Sequence, residues 1–556
     1  MSSSDPIHAG SIHADESKEC GSGEIRAAEQ GETATSEVEF LTGWRYAAIG
    51  VSIVLSMFLT IIATAIPHIT DEFHSLNDVG WYASALFLTV AAAQSVWGKA
   101  FKYFPVKTIY LTSIAIFEIG SLICGVAQNS TTLIVGRAIT GFGVAGTFGG
   151  SYIIIGISVA PKQRPAMTGY MGSAYAIASV IGPLIGGALT DKVTWRWCFY
   201  INLPCGALAA AAFILLFKVP TSVKPPQVPL KEKLLQMDIP GFFLVTAAVV
   251  CYLLAMQWGG VVEKWSSSNV IGTLVGCIII FIAFLAWEWY QGERALLLPS
   301  ILKQRTIIHG CAFSFLIAGT FYILLYYIPI YFQAVKGTTA TESGIRTIPL
   351  ILSLTLVQIC TGVSIGALKI FNPFLIIGGI LTTISAGLLM TLEPNSDHSY
   401  WIGYQVLAGV GLGLCFNVYI IIIQNIVKPE EVATATAILL FFQSLGGALV
   451  VSAAQSLFQN ELLNTLAVQS PSVNPAAVFS TGATEIQKTF SKSELPGINS
   501  SYMKGLHMAF ALAIPMAGTA TLVAVGQNWF RLKTPGDENP REVKRETEKV
   551  DKDTVG

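Results

Sequence analysis

The chain has 556 residues, of which 53% are apolar and only 12% are Asp, Glu, Lys or Arg. Because soluble globular proteins are about 25% charged, this composition excludes a soluble globule. The high apolar content excludes a disordered chain, and the formal net charge of −1 provides no overall attraction for nucleic acid. The class that remains is a protein embedded in a lipid bilayer.

Fourteen stretches of the sequence are long and apolar enough to form membrane-spanning helices. About 20 mostly apolar residues cross a hydrocarbon core of about 30 Å. The predicted spans 1 to 14 cover residues 46–67, 80–98, 108–128, 133–158, 166–190, 199–218, 238–258, 270–290, 309–332, 345–367, 373–393, 401–426, 432–456 and 505–528. We therefore predict an all-α integral membrane protein. The polar residues 1–43 contain no apolar signal-peptide segment, so we expect span 1 to direct insertion.

The basic residues predict the orientation of these spans. If both termini are cytoplasmic, as an even number of spans requires, the inner segments carry 24 of the 33 Lys and Arg and the outer loops carry 8. Cytoplasmic loops are enriched in Lys and Arg. This excess predicts a cytoplasmic polar tail over 1–43 and a cytoplasmic charged tail over 531–556.

Glycines and prolines recur at a constant offset of 268 residues, at equivalent positions of the two halves of the chain. The matched pairs are Gly98/Gly366, Pro105/Pro373, Gly141/Gly409, Gly143/Gly411 and Pro161/Pro429. They predict two six-helix bundles, over 44–218 and 309–530, joined by a cytoplasmic linker over 219–308 that contains inserted spans 7 and 8. This arrangement is similar to that of major facilitator transporters, whose substrate site lies near mid-membrane between the halves.

Span 5 contains a face of small residues formed by Ala178, Gly182 and Gly186. Such a face lets a neighbouring helix approach closely, and Pro183 permits a kink. Small-residue seams occur in many membrane proteins, but the complete run to Gly187 resembles the span-5 signature of major facilitator antiporters. It departs from that signature at Ala178, where glycine is usual.

Four further segments resemble the fourteen-helix drug:proton antiporter branch of this family. They are Asp191–Pro204 between spans 5 and 6, Leu133–Gly143 around Arg137 in span 4, Ala63–Phe73 at the end of span 1, and Ser343–Pro349 at the start of span 10. The residues of these segments are most similar to those of fungal multidrug and toxin efflux pumps, and the resemblance covers residues 44–530. It implies proton-coupled efflux of a hydrophobic small molecule, such as a drug or a secondary-metabolite toxin, by alternating access.

Two departures from the branch affect proton coupling. Phe58 occupies the position where span 1 of the branch usually has an acidic residue. The inner loop that corresponds to the family's gating loop, over 98–107, lacks the customary aspartate and is purely basic. Its residues of interest are Gly98, Lys99, Lys102 and Lys107. The role that these two carboxylates have in the proton coupling of the branch therefore cannot be assigned to the same positions of this chain.

Glu118 in span 3 and Arg137 in span 4 are charges predicted to lie deep in the membrane, at depths that differ by about 6 Å. A carboxylate there costs about 2.5–3.5 kcal/mol, so it should be paired or protonated. One hypothesis is that Glu118 carries protons and that Arg137 influences its protonation or contacts the substrate. The alternatives are a static Glu118–Arg137 pair, or a carboxylate facing a seam between helices.

Gln405 takes the place of Arg137 in the repeat alignment, so the two halves are electrostatically unequal. We predict a polar, weakly charged cavity between them. Its candidate lining residues are Gln94, Tyr322, Tyr326, Asn417, Gln424 and Gln443. Such aromatic and amide groups suit a bulky, uncharged or amphipathic ligand, and interhelical hydrogen bonding is the alternative role for each residue.

The first outer loop contains His68, Asp71, Glu72, His74 and Asp78, which are residue types that bind metal ions. A short, solvated acidic loop is the simpler interpretation, and we predict neither a metal nor another cofactor.

Two Asn-x-Ser/Thr sequences are candidate glycosylation sites. Asn499 lies in the long polar outer loop predicted over 457–504, whereas Asn129 lies in a loop too short for ready modification. We therefore predict Asn499 as the better acceptor.

Functional classes other than export make different demands on the sequence. The absence of a Gly-x4-Gly-Lys-Ser/Thr loop excludes an ATP-driven pump. An uptake carrier for a nutrient or an iron chelate remains an alternative on the same fold, as does a sensor. A membrane enzyme would need a cluster of His, Asp or Cys at membrane depth, so we predict no enzyme.

We expect a monomer in the cell membrane, with protons and a small molecule as partners and no nucleic acid. A vacuolar or vesicular membrane is the alternative location.

Overall fold

The computed structural model of the protein describes residues 69, 72–73, 79–217, 225–481, 485–529 and 531. Predicted span 1 with Phe58, the N-terminal tail and nearly all of the C-terminal tail lie outside the described residues. Within these ranges the chain forms thirteen principal helices, numbered here so that each αn corresponds to the predicted span n + 1.

The principal helices are α1 Val79–Tyr103, α2 Val106–Gly125, α3 Ser130–Ser158, α4 Arg164–Lys192, α5 Asn202–Leu216, α6 Ile239–Trp258, α7 Ser268–Gln291, α8 Arg305–Ile330, α9 Ala340–Leu368, α10 Asn372–Leu389, α11 His398–Cys415, α12 Val432–Gln469 and α13 Leu495–Val525. A π-helical turn, Tyr331–Val335, follows α8, and a further helix, Val418–Ile426, continues α11. Short helical segments lie at Trp197–Tyr200, Leu230–Leu235, Gly292–Arg294, Pro299–Leu302, Pro475–Ser480 and Ile486–Thr489.

Eleven helical stretches of the described residues are long and apolar enough to cross a membrane. The helices α1 and α4, with 25 and 29 residues, also exceed the length of about 20 residues that a bilayer requires. The chain is thus an integral membrane protein whose described part is helical.

The last two helices differ from the predicted spans at the ends that face each other. Helix α12 continues to Gln469 instead of ending at 456, and α13 begins at Leu495 instead of 505. Leu462 and Leu466 are fully buried, so tertiary packing extends α12 beyond the point where the sequence becomes polar. The predicted outer loop 457–504 is therefore wrong at both ends, and only residues 470–494 connect the two helices.

In the N-terminal half, α3 packs closely between α1 and α2 through two glycines. A Cβ on Gly141 would lie 2.5 Å from the main-chain oxygen of Leu86 in α1, and one on Gly143 would lie 2.4 Å from the main-chain nitrogen of Phe117 in α2. Real Cβ atoms do not approach that closely, so glycine is required at both positions.

The C-terminal half repeats this packing, with α11 between α9 and α10. A Cβ on Gly409 would lie 2.4 Å from the main-chain oxygen of Leu350, and one on Gly411 would lie 2.6 Å from the main-chain nitrogen of Thr382. The glycines that recur in the sequence therefore occupy equivalent places in the two halves.

The halves meet through two helix pairs, α1 with α12 and α4 with α9. A Cβ on Gly98 would lie 2.1 Å from the Cβ of Ala437, and one on Gly362 would lie 2.4 Å from the main-chain oxygen of Pro165. We call these two contacts, together with that of Gly366 on Lys162 (3.1 Å), the glycine seam. The seam closes the end of the molecule at which α1 and α9 terminate.

The two inserted helices, α6 and α7, differ in how they pack against the two halves. Helix α6 packs against both α1 and α12, and so adjoins both halves beside the glycine seam. Helix α7 packs mainly on α6, and only 11% of its apolar segment is buried. Its exposed side chains, such as Ile278 and Ile282, are suited to lipid contact.

Candidate functional site

An aromatic cluster joins the two halves on the far side of the glycine seam. Phe87 of α1 makes edge-on contacts with Tyr322 and Tyr326 of α8, at ring-centroid distances of 6.2 and 6.4 Å. The two tyrosines are one helical turn apart and lie 6.5 Å from each other at an interplanar angle of 29°. Tyr326 is 37% exposed.

Buried amides lie on α1 and α9, each of which packs against a helix of the other half. The Gln94 side chain is 1% exposed, and neither its oxygen nor its nitrogen has a hydrogen-bond partner. Gln358 of α9, which the sequence motifs do not reveal, has the same property at 3% exposure. Asn417 donates a 3.4 Å hydrogen bond to the hydroxyl of Tyr152 from the opposite half. Unsatisfied buried amides are costly, and a polar ligand between the halves would satisfy them.

Another predicted lining residue, Gln424, is already hydrogen-bonded across the halves. Gln424 donates to the main-chain oxygen of Tyr152 at 2.9 Å and accepts, through its own main-chain oxygen, a 2.7 Å bond from Arg164. These contacts place Gln424 at the interface of the halves, next to the glycine seam. Gln443 makes a long 3.5 Å bond to the main-chain oxygen of Phe416, which leaves it available to a ligand.

Arg137 faces α1 within the N-terminal half. Its Nε donates a 2.8 Å hydrogen bond to the main-chain oxygen of Tyr82, and the residue is 6% exposed. In the C-terminal half, Gln405, which the repeat alignment matches to Arg137, donates a 3.0 Å bond to the main-chain oxygen of Arg346 in α9.

Glu118 does not approach Arg137, and the predicted alternative of a static pair between them is wrong. Glu118 faces α5, where a Cβ on Gly206 would lie 1.6 Å from its Oε1. Both of its carboxyl oxygens are buried without a hydrogen-bond partner. Similar depth did not bring the two residues together, because Glu118 faces α5 and Arg137 faces α1. The remaining alternative for Glu118 is a carboxylate that faces a seam between helices.

The predicted basic gating loop is mostly helix. Gly98, Lys99 and Lys102 belong to the end of α1, and Lys107 lies in the first turn of α2. The Nζ of Lys107 donates to the main-chain oxygens of Ile214, at 2.7 Å, and Phe217. It thereby caps the end of α5, in the way that cations favour helix C-termini.

A buried carboxyl pair, which the sequence motifs also do not reveal, lies beside Lys99. The main-chain nitrogen of Leu296 donates to Asp238 at 3.0 Å and to Glu288 at 3.2 Å. Both acids are less than a tenth exposed, and Lys99 is 1% exposed within the electrostatic reach of both. Because neighbouring carboxylates repel one another, the Lys99 charge stabilises the pair.

The span-5 signature lies in an uninterrupted helix, α4, which packs against α9 of the other half. Gly182 and Gly186 are buried, and Thr190 donates to the main-chain oxygen of Gly186 at 2.7 Å. The side-chain surroundings of Pro183 and Gly187 lie outside what the structure describes.

The predicted outer loops form an ion-pair clamp. Arg196 binds Glu72 through both of its terminal nitrogens, at 2.8 and 3.1 Å, and stacks on the Trp195 ring at 4.4 Å. Within the described ranges no group of three or more His, Cys, Asp or Glu is placed to hold a metal ion. His68, Asp71, His74 and Asp78 lie outside those ranges.

The two glycosylation candidates occupy helix N-terminal turns. Asn129 is the N-cap of α3 and accepts a 2.8 Å bond from the main-chain nitrogen of Thr132. Asn499 lies in the first turns of α13, not in a loop, and accepts a 3.1 Å bond from Gln487. Ser501 of its sequon is fully buried, so a glycan would have to be attached before this region packs.

The family model of the Major Facilitator Superfamily matches residues 48–451, and the chain belongs to this family of membrane transporters. An MFS-type transporter of Pestalotiopsis microspora is 46% identical, covering 92% of this chain and 95% of the relative. The probable efflux pump gsfJ of Penicillium aethiopicum is 45% identical, covering 89% of each. The MFS-type efflux pump MFS1 of Arthroderma benhamiae is 41% identical, covering 89% and 94%. The predicted family is confirmed.

Solved structures share the fold. The proton:xylose symporter XylE bound to 6-bromo-6-deoxy-D-glucose matches 88% of this chain and 96% of its own, with a TM-score of 0.59 at 12% identity. A bacterial homologue of the human lysosomal transporter Spinster, in an inward-facing and unoccupied conformation, matches 87% and 96%, with a TM-score of 0.54 at 16% identity. These likenesses concern the fold alone.

Proposed function

We propose that the protein exports a hydrophobic small molecule through the membrane by proton-coupled alternating access. The observation that carries this proposal is the region where the halves meet, in which the amides of Gln94 and Gln358 are buried without hydrogen-bond partners. The glycine seam closes this region at one end. Curated relatives at 41–45% identity are named efflux pumps, which supports export over uptake.

The proposed topology has fourteen spans with both termini in the cytoplasm. Support for the orientation comes from the excess of basic residues in the inner segments, 24 of 33. In this orientation the glycine seam lies on the cytoplasmic side, so the structure corresponds to a form closed to the cytoplasm. The proposed location is the cell membrane, and the proposed state is a monomer without nucleic-acid partners. Asn499 remains the preferred glycan acceptor.

The proposed domain organisation follows the sequence repeat. Two six-helix bundles, over 44–218 and 309–530, flank a linker over 219–308, and polar cytoplasmic tails cover 1–43 and 531–556. Glu118 is the proposed proton carrier because its buried carboxyl has no hydrogen-bond partner. A proton on the carboxyl itself removes the cost of a buried charge.

Transport by inside-out membrane vesicles tests export and proton coupling together. Vesicles from yeast cells that express the full chain should accumulate a lipophilic fluorescent dye when their lumen is acidified, and nigericin should abolish that accumulation. Accumulation that survives nigericin would contradict proton coupling. Gradient-driven accumulation of a nutrient or an iron chelate by right-side-out vesicles alone would favour the alternative, an uptake carrier.

A further inference from the structure

Arg164, the first residue of α4, joins helix ends from both halves. Its Nε donates a 2.9 Å hydrogen bond to the main-chain oxygen of Val159, at the end of α3. One of its terminal nitrogens donates a 2.7 Å bond to the main-chain oxygen of Gln424, in the last turn of the helix Val418–Ile426 of the other half. Carbonyl groups at helix C-termini lack partners within the helix and attract positive charge. The guanidinium therefore binds one helix end in each half.

Gln424 returns a second hydrogen bond across the same boundary. Its side-chain nitrogen donates to the main-chain oxygen of Tyr152 in α3 at 2.9 Å, and the residue is 1% exposed. Arg164 directly precedes Pro165, whose main-chain oxygen faces Gly362 in the glycine seam. We call these two bonds, from Arg164 to Gln424 and from Gln424 to Tyr152, the polar latch.

The sequence repeat places an apolar contact at the position equivalent to the latch. The offset of 268 residues pairs Arg164 with Val432 and Gln424 with Gly156. Val432 is the first residue of α12, as Arg164 is of α4. These two repeat partners also meet, because a Cβ on Gly156 would lie 2.8 Å from the Cγ1 of Val432. The same contact between the halves is thus made twice, once through an arginine and once through apolar atoms.

The hydrogen bonds of the latch provide what apolar packing does not. They weaken steeply when the distance or the angle changes, so they specify one closed arrangement of the helices. Arg164 forms no ion pair with an Asp or Glu of the described residues. When the helices separate, water takes the place of each lost partner, so the latch can be released in every transport cycle.

We propose that Arg164 holds the transporter closed to the cytoplasm, by fastening the end of α3 to the helix Val418–Ile426 through the polar latch. The proposal rests on the proposed alternating access and on the proposed topology, in which this end of the molecule is cytoplasmic. Loss of the latch shifts the population of molecules toward the form that is open to the cytoplasm. Arg164 is thus a positioning residue that acts on the helices and not on the exported molecule.

Arg164→Met removes the latch, and Arg305→Met is its matched control. Arg305 is the first residue of α8 and donates a 3.0 Å bond to the main-chain oxygen of Gly526, at the end of α13. Each arginine therefore joins the start of one helix to the end of another, but Arg305 does so within one half. Gln424→Met removes the bond to Tyr152 and decides the question if Arg164→Met does not fold.

Two measurements are made on each variant. Hydrogen–deuterium exchange of the full chain in lipid nanodiscs reports which end of the protein is open, and the inside-out vesicles report export of the lipophilic dye. Arg164→Met should raise exchange about tenfold in residues 156–164 and 424–432, because exchange follows the population of the open form and a bond to a charged group is lost. Exchange should slow at the outer ends of α1 and α8, which close in that form. Export should fall at least fivefold, because the closing step is impaired.

Arg305→Met should keep exchange in these segments and export within twofold of the wild type. Gln424→Met should change both measurements in the same direction as Arg164→Met, by a smaller factor. Unchanged exchange at the seam in Arg164→Met overturns the proposal. A rise that is spread over the whole chain also overturns it, because that pattern indicates a general loss of stability.

Normal export by Arg164→Met, in vesicles where the wild type exports, overturns the role of the latch in transport. Failure of the wild type to export any dye counts against the proposed function instead. The exchange pattern does not depend on a dye, so it decides the latch in that case as well.

Discussion

The Nζ of Lys99 donates a 2.6 Å hydrogen bond to the main-chain oxygen of Arg294. Lys99 follows Gly98 at the glycine seam, and Arg294 belongs to the segment between α7 and α8. Arg294 is in turn held by Glu232, with bonds of 2.9 and 2.8 Å. The inserted helices, which are extra to the two six-helix bundles, are thus bonded to the helix whose end forms the seam.

Replacing Lys99 tests this connection. Lys99→Met removes the bond to Arg294 and leaves the Asp238–Glu288 carboxyl pair without its nearby cation. Loss of a buried hydrogen-bond partner costs about 1–3 kcal/mol, so the unfolding temperature should fall by several degrees. Lys102→Met is the matched control, because Lys102 lies in the same helical turn and packs on the Tyr103 ring at 5.6 Å. Equal melting curves for the two variants would contradict the role assigned to Lys99.

The glycine seam predicts a second result. Gly98→Ala places a Cβ 2.1 Å from the Cβ of Ala437, so the halves should no longer close at this end and export should fall at least fivefold. Gly387→Ala is the control, because nothing lies within 4 Å of the added Cβ. That control should keep full export and gain slightly in stability, by about 0.5–1 kcal/mol. Wild-type export by Gly98→Ala would show that the seam is not a gate.

The ion-pair clamp between Glu72 and Arg196 predicts that the stability of the protein depends on pH. Hydrogen bonds from Arg196, and then from Trp195, hold the pKa of the Glu72 carboxyl below its ordinary value of 4.5. A carboxyl with a lowered pKa in the folded state stabilises the protein above its unfolded pKa, and this contribution is lost as the pH falls through the folded value. Glu72→Gln should therefore lower the melting temperature at pH 7 by about 1–2 °C.

The difference between wild type and Glu72→Gln should close as the pH falls through the lowered pKa of Glu72, because Glu72 is then itself protonated. A double-mutant cycle with Arg196→Gln controls for unrelated effects: the two losses should be less than additive because the side chains share one ion pair. A pH-independent difference, or full additivity, would exclude the clamp.

The hydropathy pattern and the repeated glycines predict most of the fold. Long apolar stretches indicate membrane-spanning helices, and the glycines indicate where helices pack closely. Gly141 and Gly409 each leave no room for a Cβ, so the repeat in the sequence appears as a repeat in space. The ends of α12 and α13 were not predictable from hydropathy. Buried Leu462 and Leu466 continue the helix through a stretch that mixes apolar and polar residues, and that burial is a property of the tertiary structure.

The candidate site is predictable only in part, because depth in the membrane does not specify which face of a helix a residue occupies. Glu118 and Arg137 have similar depths, yet one faces α5 and the other faces α1. Gln358 was missed because a single glutamine in an apolar helix carries no pattern. The Asp238–Glu288 pair joins residues 50 positions apart in the sequence, and the folded chain alone brings them together.

The last prediction concerns Glu118, whose two oxygens are buried without partners against α5. If this carboxyl carries the proton, Glu118→Gln should reduce gradient-driven export at least tenfold. The variant should leave dye binding within twofold of the wild type, because the Glu118 carboxyl packs against α5 of its own half. Glu293→Gln, which removes an exposed carboxyl, is the control and should export normally.

Glutamine is nearly isosteric with glutamate, so the packing against Gly206 is kept and a change in export reports on the proton. Undiminished pH-driven export by Glu118→Gln would assign proton transfer to another group and leave Glu118 as a carboxyl at a helix seam.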